Sequence, residues 1–178
     1  MDCSAPVTAE QEDAADALVK QTIAASAKYA DFNQAIADGY VPITPAGAPL
    51  VHYGNFAYMT DGALLDPDHI ESLMYAFDKD RTPYFVGTMY LNDDATVAPP
   101  SPGGCLMQWH NHTNLCIADG KGMVGVVKAD GTCPAGSANE VTTQMMHVWT
   151  ISLPMGPLTH DASPADIRAG VLALKAGA

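Results

Sequence analysis

The stretch Ser72-Leu73-Met74-Tyr75-Ala76-Phe77, the polar Asp78-Lys79-Asp80-Arg81, and Tyr84-Phe85-Val86-Gly87-Thr88-Met89-Tyr90-Leu91 decide the fold. Two aromatic-rich runs flank a short charged segment, so the stretch reads as a β-hairpin. A helix from Asp66 through Phe77, with Pro67 at its first position, is the competing reading and ranks second. Around the hairpin, the aromatic-rich run Val51 to Met59 reads as a strand that ends at Asp61-Gly62, and further strands are expected at 106–113, 122–128 and 145–153. Asp94 to Gly104 is a proline-rich loop. Helical spacing is confined to the two ends. Thr8 with Gln11 forms a capping box ahead of Ala15, Leu18, Val19, Thr22, Ile23 and Ala27. Asp31 starts a second helix that ends at Gly39, and Ser163-Pro164 caps a short C-terminal one. Pro42, Pro45 and Pro49 hold an extended linker. Strands outnumber helices and do not alternate with them. The expected fold is therefore mainly β (α+β): an antiparallel β-barrel or curved sheet with the N-terminal helices packed against it. Residues 1–178 are read as one domain, comprising a helical segment 8–39, a β core 51–153 and a tail 154–178.

Composition narrows the function. Apolar residues make up 48% of the 178 positions and charged residues 16%, which is globular rather than disordered. Twenty acidic against eight basic residues leave a net charge of −12. Such a surface repels phosphate backbones and anionic lipid, so the partner is expected to be neither nucleic acid nor a membrane surface, and cations are attracted instead. No run approaches the 18 or so apolar residues of a membrane helix.

Cys3, Cys105, Cys116 and Cys133 contain no Cys-x-x-Cys pair, which argues against zinc ribbons and thioredoxin-like chemistry. In an exported chain Cys116 and Cys133 would bridge the loop between them. The opening Met1-Asp2-Cys3-Ser4-Ala5-Pro6 reads like a processed exported protein with a methionine added back, and Cys3 is a candidate lipid-anchor residue. A secreted, periplasmic or cell-envelope location is expected.

Chemistry concentrates in Gln108-Trp109-His110-Asn111-His112-Thr113-Asn114-Leu115-Cys116. On an extended segment His110 and His112 share a face, and His147 on a neighbouring strand would complete a three-histidine metal site. His52 is the expected fourth ligand or supporting partner. Imidazole suits zinc, copper and iron alike; zinc is the first choice because catalytic zinc uses three protein ligands and an open position. Met107, Met145 and Met146 keep copper in view, although methionine also packs cores. His69 and His160 sit among acids and prolines and read as surface residues. Asp66, Asp68, Glu71 and Glu140 are solvated acids on this reading. No nucleophile elbow, phosphate loop or dinucleotide fingerprint is present. A metal-dependent enzyme that activates water, a zinc or copper carrier or sensor without turnover, and a disulfide-stabilised binding module are the three functional readings.

Two resemblances bear on this. Gly104-x5-His110-x-His112 resembles the first half of the cupin metal motif, although Cys116 and Ile117 stand where its glutamate would fall. Pro154-x-Gly156 followed by His160 resembles the second half with one residue too many. The likeness implies a β-barrel with a metal inside. More broadly, the chain resembles an uncharacterised group of bacterial exported proteins. The shared features are a helix ending in Ala-Asp-Gly-Tyr (37–40), His-Tyr (52–53), Val-Gly-x-Met-Tyr (86–90), Trp-His-x-His-x-x-Leu-Cys (109–116) and His-Val-Trp (147–149). That likeness picks out the same histidines and implies no particular reaction.

Overall fold

Thr8 caps the first helix with the reciprocal bonds its sequence predicts: Gln11 N–H donates to the Thr8 hydroxyl at 3.3 Å, and Thr8 N–H donates to the Gln11 side chain at 3.0 Å. The computed structural model describes residues 3–45, 47–160 and 162–177. Helix α1 spans Ala9–Ser26, a 3₁₀ turn covers Ala27–Ala30, and α2 spans Phe32–Ala37, capped by the Asp31 carboxylate. The strands are β1 (Val41–Pro42), β2 (Leu50–Gly54), β3 (Ser72–Phe77), β4 (Pro83–Leu91), β5 (Leu115–Ala118), β6 (Gly122–Val126), β7 (Ala138–Glu140) and β8 (Met145–Trp149); α3 (Pro164–Ala176) closes the chain. The hairpin reading of 72–91 holds, and the competing helix does not form.

The protein is α+β with antiparallel pairing throughout. One sheet runs β1-β2-β3-β4-β8 and a smaller one runs β6-β5-β7. The expected strand at 106–113 is instead a 3₁₀ turn at Gly104–Leu106 followed by a single bridge between His110 and Met145. The run from Val51 stops being a strand after Gly54. There the Asn55 side chain accepts from Ala57 N–H at 3.1 Å and turns the chain into a 3₁₀ turn at Tyr58–Thr60. Strands β5 and β7 are short additions that pattern alone did not mark.

Strand register assigns the two faces of the large sheet. Val51, Tyr53, Leu73, Tyr75, Phe85, Tyr90, Met146 and Val148 meet α1, α2 and the 3₁₀ turn between them in one buried cluster. Three hydroxyl hydrogen bonds tie that layer together. Tyr75 donates to Tyr29 C=O at 2.7 Å, Tyr40 donates to Ile70 C=O at 2.7 Å, and Thr22 and Tyr90 share a bond of 2.8 Å. The opposite face carries a second cluster in which Met74, Trp149 and Ile151 pack with Val171 of α3.

This second face is concave. In a flat sheet β2 and β8 would stand about 14 Å apart, three spacings of about 4.8 Å, yet the rings of His52 and His147 lie 5.7 Å apart. The sheet therefore curls around that face, as the curved-sheet expectation requires. Among the described residues it does not close on itself, but each edge hydrogen-bonds to a later segment of the chain. Met123 N–H on β6 donates to Ile43 C=O just beyond β1, and His110 pairs with Met145 at the β8 edge. Gly122 permits the first of these contacts: its φ is +69°, and a Cβ there would come within 2.7 Å of Ile43 C=O.

Two disulfides, Cys3–Cys105 and Cys116–Cys133, use all four cysteines. The second is the pairing expected from the loop it closes. The first corrects the reading of Cys3 as a lipid attachment point, because a sulfur engaged with Cys105 cannot also carry a thioether. Two such bonds fit folding in an oxidising environment. No described helix is long and apolar enough to cross a membrane.

Cys3–Cys105 closes a sequence separation of 102 residues and Cys116–Cys133 one of 17. Serine replacement of both cysteines of a pair is thus expected to cost about 4.7 kcal/mol for the first bridge and about 3 kcal/mol for the second. Urea denaturation of the two double variants checks the order; a larger loss for Cys116–Cys133 would contradict it.

Candidate metal centre

His110 N–H donates to Met145 C=O at 2.9 Å, and Met145 N–H donates back to His110 C=O at 2.7 Å. Two residues along, His112 N–H donates to the Thr142 hydroxyl at 2.9 Å and its carbonyl accepts from Thr142 N–H at 3.0 Å. The segment is thus laid against the chain entering β8, and His110 arrives beside His147, with ring centroids 4.9 Å apart. His52 reaches the same place from β2 because the sheet curls.

The ring of His110 is oriented by its own neighbourhood. Its Nδ1 lies 3.1 Å from Gln108 C=O. A carbonyl only accepts, so Nδ1 carries the hydrogen and Nε2 presents its lone pair. The Gln108 side chain has a second role, accepting from His160 N–H at 2.9 Å. It brings the loop before α3 over the cluster, where the His160 ring lies 3.7 Å from that of His110 and 6.0 Å from that of His112. Trp149 secures the same loop twice. Its indole N–H donates to Thr159 C=O at 2.9 Å, and its backbone N–H donates to Pro157 C=O at 2.8 Å.

Ligand atoms of His110, His112 and His160 all lie within 4.8 Å of one another. A tetrahedral ion with bonds of about 2.0 Å needs edges of about 3.3 Å, a contraction that side-chain rotation supplies. All three rings are partly buried.

His147 stands deeper, and His52, partly buried, faces it from β2. His147 is 8% exposed, and neither ring nitrogen has a hydrogen-bond partner of bonding geometry, although the His160 backbone lies close enough to favour its protonated form slightly. Burial holds its imidazole well below the usual histidine range, and the fields of His52, His110 and His160 add to the effect. Burial likewise pushes His52 down to about 4, with His112 and His110 contributing. His112 is lowered by burial and by His160. The charged neighbours behind these shifts are other histidines, with no carboxylate among them. Burial and neighbouring histidines thus favour the neutral imidazole at His52, His112 and His147.

Four sequence-selected histidines, 52, 110, 112 and 147, thus converge. His160, read from sequence as a surface residue, joins them, and its sequence clue was the Pro154-x-Gly156 likeness that precedes it. His69 does not: it stacks on Tyr58 with centroids 4.8 Å apart and pairs with Asp61 at 2.8 Å. Nor is Glu71 a solvated acid. It is 2% exposed, and burial first, then Asp61 and Asp93, push its carboxyl up to about 8 against opposing backbone hydrogen bonds. Glu140 is exposed on β7.

No known protein family matches the chain, and no curated protein or solved structure is significantly similar to it.

Depressed histidine pKa values tie stability to pH. Between the ordinary histidine value of about 6.5 and about 4, the unfolded chain takes up a proton that folded His52 refuses. Metal-free protein is therefore expected to lose stability as pH falls through that window and to lose no more on this account below it. His52 alone accounts for roughly 3 kcal/mol of this at 1.36 kcal/mol per pKa unit. Denaturation midpoints of the metal-free protein and of His52→Gln at pH 7 and pH 4.5 test this; equal pH losses in the two would reject the assignment.

Proposed function

We propose that this is an exported metal-binding protein whose histidine cluster holds a divalent ion, zinc in the first instance. The observation that carries the reading is the convergence of His110, His112 and His160 with ligand atoms within 4.8 Å of one another. Two disulfides support the exported setting, and the curled sheet with edge contacts on both sides is compatible with the cupin-like barrel expectation. Three imidazoles leave a tetrahedral ion one position for water. There the ion would bring the water's pKa toward about 7 and supply hydroxide, or polarise a carbonyl.

A carrier or sensor without turnover is the second reading. It is favoured by a specific observation: His147 and His52 stand directly behind the three and can close the coordination sphere, while no general base is evident beside them among the described residues. Azide or cyanide separates the two readings. A spectral response of the cobalt-substituted protein supports the open, water-activating site, whereas a response that emerges only in His52→Ala or His147→Ala supports closure.

Removing one ligand should lower zinc affinity at least about tenfold in His110→Ala, His112→Ala and His160→Ala, while His69→Ala should leave it unchanged. Gln108→Leu should also weaken binding by about 10- to 100-fold, because it frees the loop carrying His160 without touching the ion. Competition titration with a chromogenic chelator measures all five variants. Wild-type affinity in the three ligand variants would reject the site.

A further inference from the structure

A single ion at the outer three histidines leaves two others behind it. His52 and His147 face each other across the concave side of the sheet with ring centroids 5.7 Å apart and planes inclined at 48°. A buried imidazole with neither nitrogen hydrogen-bonded costs about 1–3 kcal/mol for each polar atom left unsatisfied, and His147 is in that condition. A bound ion would offset that cost.

We propose that His52 and His147 form a second, inner metal position that takes univalent copper. The proposal rests on the cluster's being a metal site, and it adds to that reading a second ion and its identity. Two nitrogens joined through one ion with bonds of about 2 Å stand about 4 Å apart, a separation that rings with centroids at 5.7 Å can present toward each other. Two nitrogen ligands satisfy a cuprous ion, whereas zinc seeks four.

Charge points the same way. The groups that shift His52 and His147 are other histidines, with no carboxylate among them to offset a cation. Desolvation cost rises with the square of the charge, so burying a divalent ion here would cost about four times as much as a univalent one. The surroundings are also soft. In strand register Met74 pairs with His52 and Met89 with His147, so both thioethers lie on the concave face, and both residues are buried. Met74 extends over Gly87, where an added Cβ would come within 2.7 Å of its methyl group. Thioethers favour copper in its univalent state over zinc.

Titrations of the full chain with its disulfides intact test this, using zinc and, separately and anaerobically, a cuprous complex supplied without thiol. The expected result is one equivalent of zinc and two of copper, with His52→Ala and His147→Ala each binding one of copper and still one of zinc. The retained zinc shows that these variants fold. His52→Gln and His147→Gln preserve polarity and bulk should the alanine forms fail to fold, and the wild-type counts discriminate without any variant. One equivalent of each metal, with copper unaffected in the His52 and His147 variants, overturns the inner position and leaves the outer site standing. Two equivalents of zinc overturn the univalent assignment. Two of copper retained in both variants place the second ion elsewhere and overturn the proposal. One of copper, lost in His52→Ala, with no zinc bound, rejects the outer site and supports the inner one. Neither metal bound rejects both.

Discussion

Two hydrogen bonds between His110 and Met145 hold the arrangement on which the site depends. They attach an otherwise irregular segment to the edge of the large sheet, and they set its register against β8. A shift of one residue would turn His110 away from His147, because side chains alternate across an extended backbone. Gln108 then uses this anchored segment twice. Its carbonyl fixes the His110 tautomer, and its side chain draws in the loop that carries His160. One short stretch therefore places two histidines and recruits a third from 52 residues along the chain.

The curl of the sheet is the second constraint. Helices α1 and α2 pack on the outer face, where Tyr75 and Tyr40 donate to backbone carbonyls and Tyr90 bonds Thr22, leaving the buried Thr88 hydroxyl there without a partner. The inner face adds ring nitrogens to such groups. It buries His147 and the Ser72 hydroxyl without partners and keeps its imidazoles neutral. Stability and binding pull in opposite directions there: the features that make the concave face costly in the empty protein also make it a set of deprotonated ligands. Disulfides compensate elsewhere, and Cys3–Cys105 ties the start of the chain to the 3₁₀ turn that leads into the histidine segment.

Much of this was legible where the physics is local. The Thr8–Gln11 box, the Asp31 cap, the Ser163-Pro164 start of α3 and the hairpin at 72–91 each depend on residues a few positions apart, and each forms as its pattern predicts. Cys116–Cys133 was readable because the loop it closes is short. The histidine segment was read as extended, with His110 and His112 on one face, but a two-residue spacing describes a backbone that can pair, not one that has a partner along its length. Only the His110–Met145 bridge forms, since the chain turns through Gly104–Leu106 just before it and bends toward Thr142 just after.

By itself, then, the sequence determined which residue types could do chemistry and which local elements would form: six histidines, four cysteines, capped helices and a central hairpin, the elements all encoded within a turn or two of the chain. Tertiary structure decided the rest. That His52 meets His147 depends on curvature accumulated across four strands. That His160 belongs to the site while His69 does not depends on one glutamine side chain and one aspartate. That Cys3 finds Cys105 depends on how α1 packs against the 3₁₀ turn at Gly104–Leu106, where Gln11 and Ala15 meet Gly104 and Gly103. None of these outcomes has a period or a spacing, because each comes from where distant segments pack, and packing is set by the whole apolar core at once.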